Sequence, residues 1–297
     1  MSSSPDETQI DTLDPSPFAR SEAAVGESPL WDERDGTLWW TDLAAGVLHR
    51  ADADGGHRRG HAVGKPLGGI ALGAEGGLVA ALGDGVASVS PAGTRPVTGL
   101  GIGGRPLRVN DAACDPAGRF WVGVVGLNGE PGSLHRVSGG RARLVRDGLA
   151  FPNGLDWSPE GERMYLAESH RRRLVGFEFD PDAGRLGRRE TLVQLPAGDG
   201  LPDGIAVDES GGIWVAIWGG GEVRRYSPGG ELTARVPCPV GQVSSCGFGG
   251  QDRRTLYITT AREGLDRRAL RAQPLAGSVF RVRTPQAGLP PRLCRVR

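Results

Sequence analysis

The stretch LPDGIAVDESGGIWVAI occupies residues 201–217. Its second half, DESGGIWVAI (208–217), is an acidic residue, a glycine turn and an apolar run with Trp. The pattern returns as DERDGTLWWTD (32–42), GAEGGLVAAL (73–82), DPAGRFWVGV (115–124), SPEGERMYLAE (158–168) and GGQDRRTLYITT (249–260), six copies in all. The turn glycines Gly36, Gly77, Gly118, Gly161 and Gly211 are spaced by 41, 41, 43 and 50 residues. A second turn and another short strand follow each copy, as in GSLHRVSGG (132–140) and GEVRRYSPGG (221–230). Each unit therefore holds about four short strands with alternating apolar residues. A period of ~40–50 residues with four strands per unit is the pattern of a propeller. The reading is all-β: a six-bladed β-propeller with four-stranded antiparallel blades. One such sheet cannot bury both faces alone, so neighbouring blades must cover each other. Trp39, Trp121 and Trp214 are expected between blades, and Trp218, past its strand, at a channel mouth.

Composition agrees. The chain has 297 residues, 49 of them Gly and 22 Pro, a turn density suited to many short strands. Lys+Arg and Asp+Glu are both 35, so no charge excess points to nucleic acid or an acidic membrane surface. The four cysteines form no CxxC pair and the histidines number five, which disfavours a zinc site and suits a reduced, cytoplasmic protein. No apolar run nears the ~20 residues of a membrane span. Residues 1–20 are polar and read as a flexible N-terminal tail, with 21–297 as a single propeller domain.

The turn glycines also serve as a ruler. Asn110, Asn153 and Asp203 each lie 8 residues before their turn Gly, and Glu27 lies 9 before Gly36. Equivalent positions in a propeller surround its axis, so four blades aim oxygen-bearing side chains at one region. The second blade offers only Gly68 or Gly69 there, and the sixth Ser245. Carboxylates converging without cations repel one another and are costly to desolvate. A hard divalent cation removes that cost, and amide oxygens serve it as well as carboxylates. The plainer alternative is that Asn-Gly and Asp-Gly are simply turns.

At these residues the chain resembles the SMP-30/gluconolactonase/regucalcin family. The resemblance rests on GESPLWD (26–32), RVNDAACDPAGRFWVG (108–123), FPNGLDWSPEG (151–161), LPDGIAVDESGGIWVA (201–216), SSCGFGGQDRRTLYITTA (244–261) and LAGSVFRV (275–282), and spans residues 21–284. It implies one divalent metal ion (Ca²⁺, Mg²⁺, Mn²⁺, Zn²⁺ or Fe²⁺) in the central channel, held by Glu27, Asn153 and Asp203. It further implies sugar-lactone hydrolysis, with Arg108 and Asn110 contacting substrate. Asp111 follows with a hydrogen-bonding role. Asn128 and Glu130 stand where other members carry acidic substrate contacts, which makes Asn128 a substrate-binding candidate. His135 replaces a common Tyr, and Ala112 and Ala113 depart from the usual motif; these changes bear on substrate identity.

The expected chemistry is metal-assisted opening of an aldonolactone by water, with Asp203 as general base. No Ser-His-Asp set or G-x-S-x-G elbow is evident. His49, His57, His61, His135 and His170 read as non-catalytic, Cys246 as a buried small residue beside the channel, and HRRRL (170–174) as a solvated loop rather than a phosphate site. The partner is a small-molecule lactone, and the protein a monomer or weak homodimer. The alternatives are a divalent-metal-binding regulatory protein of regucalcin type and an esterase acting on non-sugar esters.

Overall fold

Each repeat becomes one antiparallel sheet, in chain order from the innermost strand outward. The computed structural model describes residues 10–297. Six sheets form the blades of a β-propeller. Their innermost strands are Gly26–Asp32, Leu67–Gly73, Leu107–Cys114, Pro152–Trp157, Leu201–Val207 and Val243–Gly249. Each of these touches the innermost strand of the next blade, and the sixth touches the first, so the ring is closed.

Apolar residues collect at the seams. Six buried clusters lie one between each pair of adjacent blades. The repeated Asp-turn-Gly-Trp pattern has a local cause. Asp208 accepts from the amides of Ser210 (3.0 Å) and Gly212 (2.9 Å), and from Trp214 Nε1 (2.9 Å). Asp115 repeats this with Ala117, Arg119 and Trp121 Nε1, each at 2.9 Å. The carboxylate thus folds the turn and satisfies the indole N–H, leaving the ring free to pack. Trp121 and Trp214 are fully buried at seams, while Trp39 is only half-buried, beneath Arg50.

The expected tail is corrected over residues 10–20. The sixth repeat supplies three strands, and its outer edge, Val279–Arg283, would expose unpaired backbone groups. Ser16–Ala19 pairs antiparallel with that edge and completes the blade. Phe18 is buried there against Tyr257 at 4.9 Å between rings. Asp11–Thr12 adds a short parallel strand to the fifth blade. The rest of the tail, residues 1–9, lies outside the described residues.

Residues 284–297, beyond the last blade strand, form a strap across the face where the Asp-Gly turns lie. It meets the sixth blade at Arg254, the fifth at Glu209, the fourth at Asp156 and the third at Gly118. One α-helix, Arg267–Ala272, is present among the described residues, and no described helix is long and apolar enough to cross a membrane.

Trp214→Ala removes a seam indole and leaves Asp208 Oδ2 with Arg225 as its remaining donor. It is expected to cost ~3–5 kcal/mol by denaturant unfolding.

Candidate functional site

All six innermost strands slip register near their starts, between Glu27 and Leu30 in the first blade and between Pro202 and Ile205 in the fifth. A bulge there re-aims side chains. It turns Glu27, Asn110, Asn153 and Asp203 into one cavity of about 590 Å³ at one end of the axis. All four are buried to within a few percent.

The glycines after Asn153 and Asp203 are not turn residues, which corrects that alternative. Both lie within strands and have no positive φ. A Cβ on Gly154 would strike the backbone at Asp203–Ile205, and one on Gly204 would strike Ser245. Gly154 lets neighbouring innermost strands approach backbone to backbone, and Gly204 makes room for the Ser245 side chain of the next strand. Gly68 and Gly69 allow the same backbone approach against Asn110 and Ala112. The second blade therefore gives the hub closeness rather than a donor. In the sixth, Ser244 Oγ donates to the Gly26 carbonyl, and Ser245 lines a separate cavity below.

A hydrogen-bond chain orients the amides. Arg108 Nη1 donates to Asn110 Oδ1 (2.7 Å), and Asn110 Nδ2 donates to Asn153 Oδ1 (3.1 Å). Asn153 Nδ2 donates to Ser169 Oγ (3.2 Å), which donates to the Pro202 carbonyl (2.7 Å). Asn153 Oδ1 is thereby fixed on the cavity side, with a second lone pair free.

The carboxylates are less well served. Glu27 Oε2 and Asp203 Oδ1 are buried and have no hydrogen-bond partner among the described residues. Burial, with the Asp203 and Asp111 charges added, pushes the Glu27 carboxyl well above its usual range. Burial and the Asp111 charge do the same to Asp203, against smaller opposing effects of Arg108 and a hydrogen bond from Asn153. Two unpartnered carboxylate oxygens beside an oriented amide oxygen fit a hard divalent cation. Among the described residues no three His, Cys, Asp or Glu gather, so the set is an oxygen set, mixed in charge, unlike a zinc cage.

Asp111 points away from this cavity. It lines the smaller cavity below, of about 170 Å³, and accepts from the Ala112 amide at 2.8 Å. Burial raises its carboxyl to about 6. Cys246 lines the same lower cavity, buried, its thiol donating to the Trp214 carbonyl. Asn128 is not brought to the site: it is exposed at a loop tip with φ 55°, and its neighbour Leu127 lines the mouth. His135 is buried on Ser133, at 3.0 Å.

Antiparallel pairing puts the end of each second strand beside the start of the first. The mouth is therefore also lined by Leu127, Ser169, His170, Trp218 and Glu263, which follow or end those strands. Trp218 stands where the sequence put it; Ser169, His170 and Glu263 lay outside the glycine ruler. Phe151 holds φ 61°, a strained value for an aromatic residue, between the His170 ring (4.4 Å) and the Arg108 guanidinium (5.8 Å).

The sequence model of the SMP-30/Gluconolactonase/LRE-like region matches residues 25–262. A pentonolactonase of Haloferax volcanii is 33% identical over 271 residues, covering 90% of this chain and 93% of that protein. The regucalcin of Gallus gallus is 33% identical over 270 residues, covering 87% and 90%. The crystal structure of a calcium-binding protein, regucalcin, from Agrobacterium tumefaciens superposes with a TM-score of 0.91 at 27% identity, covering 97% of this chain and 100% of that one.

Both hub carboxyls titrate higher in the folded chain than unfolded. Their stabilising contribution is full at acid pH and is lost as pH rises through the raised values. A divalent cation is expected to raise Tm at about pH 8, by an increment that shrinks toward about pH 5. Glu27→Gln is expected to stabilise the cation-free protein at the higher pH and to remove most of the cation response, as read by thermal melts with and without chelator.

Proposed function

The chain belongs to the SMP-30/gluconolactonase/LRE-like family, and on that premise we propose that it hydrolyses a sugar lactone with one divalent cation held by Glu27, Asn153 and Asp203. The observation that carries this reading is the pair of buried, unpartnered oxygens, Glu27 Oε2 and Asp203 Oδ1, facing a cavity open to small molecules. A scaffold gains nothing from such a pair, which destabilises the empty hub.

When bound, the cation supplies Lewis-acid polarisation of the ester carbonyl. Asp203 takes a proton from the attacking water, and the hydroxyl oxygen bonds to the carbonyl carbon. The ring C–O bond breaks, and the proton passes to the departing alkoxide. Arg108 presents its remaining guanidinium donors to ring hydroxyls, and Asn110, whose Nδ2 donates to Asn153 and Pro152, offers its second Oδ1 lone pair as an acceptor. Ser169 holds the Asn153 amide, and the Phe151–His170 pair walls one side of the mouth and excludes water.

The substrate class we propose is an aldonolactone, supported by the lactonase among the relatives and by the polar floor of the cavity. Four free cysteines suit a reduced, cytoplasmic setting. The similarity to a calcium-binding regucalcin supports a second reading, in which the same site binds the cation without turnover.

A pH-indicator assay of aldonolactones and plain lactones on metal-stripped protein, each ion added back, separates the two. Acid release with one pairing is the expected result; none with any pairing leaves the binding reading. Asp203→Asn is expected to lower kcat by ~10²–10⁴ with the fold retained. Arg108→Ala is expected chiefly to raise KM, with a loss of ~1–3 kcal/mol in binding.

A further inference from the structure

The lactone reading makes no use of the strap or of the cysteines. Residues 284–297 cross the propeller face opposite the mouth, and Leu289, Pro290, Pro291 and Arg292 close the lower cavity. Arg292 Nη1 pairs with Asp156 Oδ1 at 2.9 Å. Beyond it the strap settles in the seam between the second and third blades. Cys294 pairs in parallel register with Gly73, and its carbonyl accepts from the Ala74 amide at 2.9 Å. The Arg295 amide donates to the Gly118 carbonyl at 2.7 Å.

Cys114 ends the innermost strand of the third blade, beside that same turn. Cys114 and Cys294 belong to one buried apolar cluster, in which the Cys114 thiol donates to the Asp115 carbonyl at 3.6 Å. Both are free and buried. One is fixed in a blade; the other rides on the strap, which carries only a two-residue strand. Cys238 and Cys246 lie in the cluster between the fifth and sixth blades, across the ring.

We propose that Cys114 and Cys294 form a dithiol site that a disulfide-class oxidant, such as oxidised glutathione, converts into a bond pinning the strap to the third blade. Two S–H bonds are lost and one S–S bond forms. The two electrons and two protons pass to the oxidant, whose disulfide becomes two thiols. The neighbouring Cys114 side chain and burial both push the Cys294 thiol up, so the buried pair is inert. Reaction then follows lifting of the strap, for which Arg292 on Asp156 is the tether.

The test is oxidation of the intact wild-type protein followed by thiol titration and peptide mapping. The expected result is a fall from four free thiols to two, a cross-linked peptide joining Cys114 to Cys294, and reversal by dithiothreitol. Tm is expected to rise by about 5 °C or more, because the closed loop is long. Arg292→Ala is expected to speed oxidation several-fold, and Cys294→Ser to abolish it. Retention of all four thiols, a bond involving Cys238 or Cys246, or an oxidation rate unchanged by Arg292→Ala overturns the proposal. Because no substrate or cation is used, lactone hydrolysis can fail without touching this result, and the reverse holds.

Discussion

The hub is as narrow as it is because backbones touch there. At Gly68, Gly69 and Gly154 no side chain separates one innermost strand from the next, and at Gly204 only that of Ser245 does. A methyl group at any of them would push two blades apart and widen the channel. Everything functional inherits this closeness. Side chains from blades far apart in sequence meet only because the strands bearing them stand at backbone contact. The six bulges then decide which side chains look inward, since a register slip moves a side chain to the other face of its strand.

Closeness also explains why the frame takes Asn in one blade and Asp in another. Every added carboxylate at the hub raises the cost of the rest, and Glu27, Asp203 and Asp111 already feel one another. Two amides bring oxygens without charge and pass hydrogen bonds from Arg108 to Ser169. The result is a site with directional order and a surplus of negative charge that a small cation can satisfy. The amide network is complete without a ligand; the carboxylates are not.

Much of this was legible in the chain. The spacing of Gly36, Gly77, Gly118, Gly161 and Gly211 carried the blade count, and stepping back from them picked out Glu27, Asn110, Asn153 and Asp203. Both signals survive because each blade repeats the same physics. What failed to show in the sequence was what does not repeat. Ser16–Ala19 looks polar and mobile, and becomes a strand only because the sixth blade lacks its fourth. Ser169 and His170 reach the mouth through antiparallel pairing, which no ruler along one strand can see. Asn128 sits one residue from Leu127, and a loop tip with positive φ sends the two in different directions. The role of Gly154 and Gly204 was hidden because Asn-Gly reads as a turn until the neighbouring blade is in place.

Ring closure has a kinetic side. Ser16–Ala19 finds its partner strand only at Val279–Arg283, and Ser21 bonds Gly277 and Ser278, 256 and 257 residues further along. These are among the most distant contacts a chain of this length can make, and such topology folds slowly. During synthesis the early segment emerges with its edge partner not yet made, and it must wait, unsheltered, for almost the whole polypeptide. Its polar run between Asp11 and Ser16 is suited to that wait, keeping a strand-forming segment dissolved until the circle can shut.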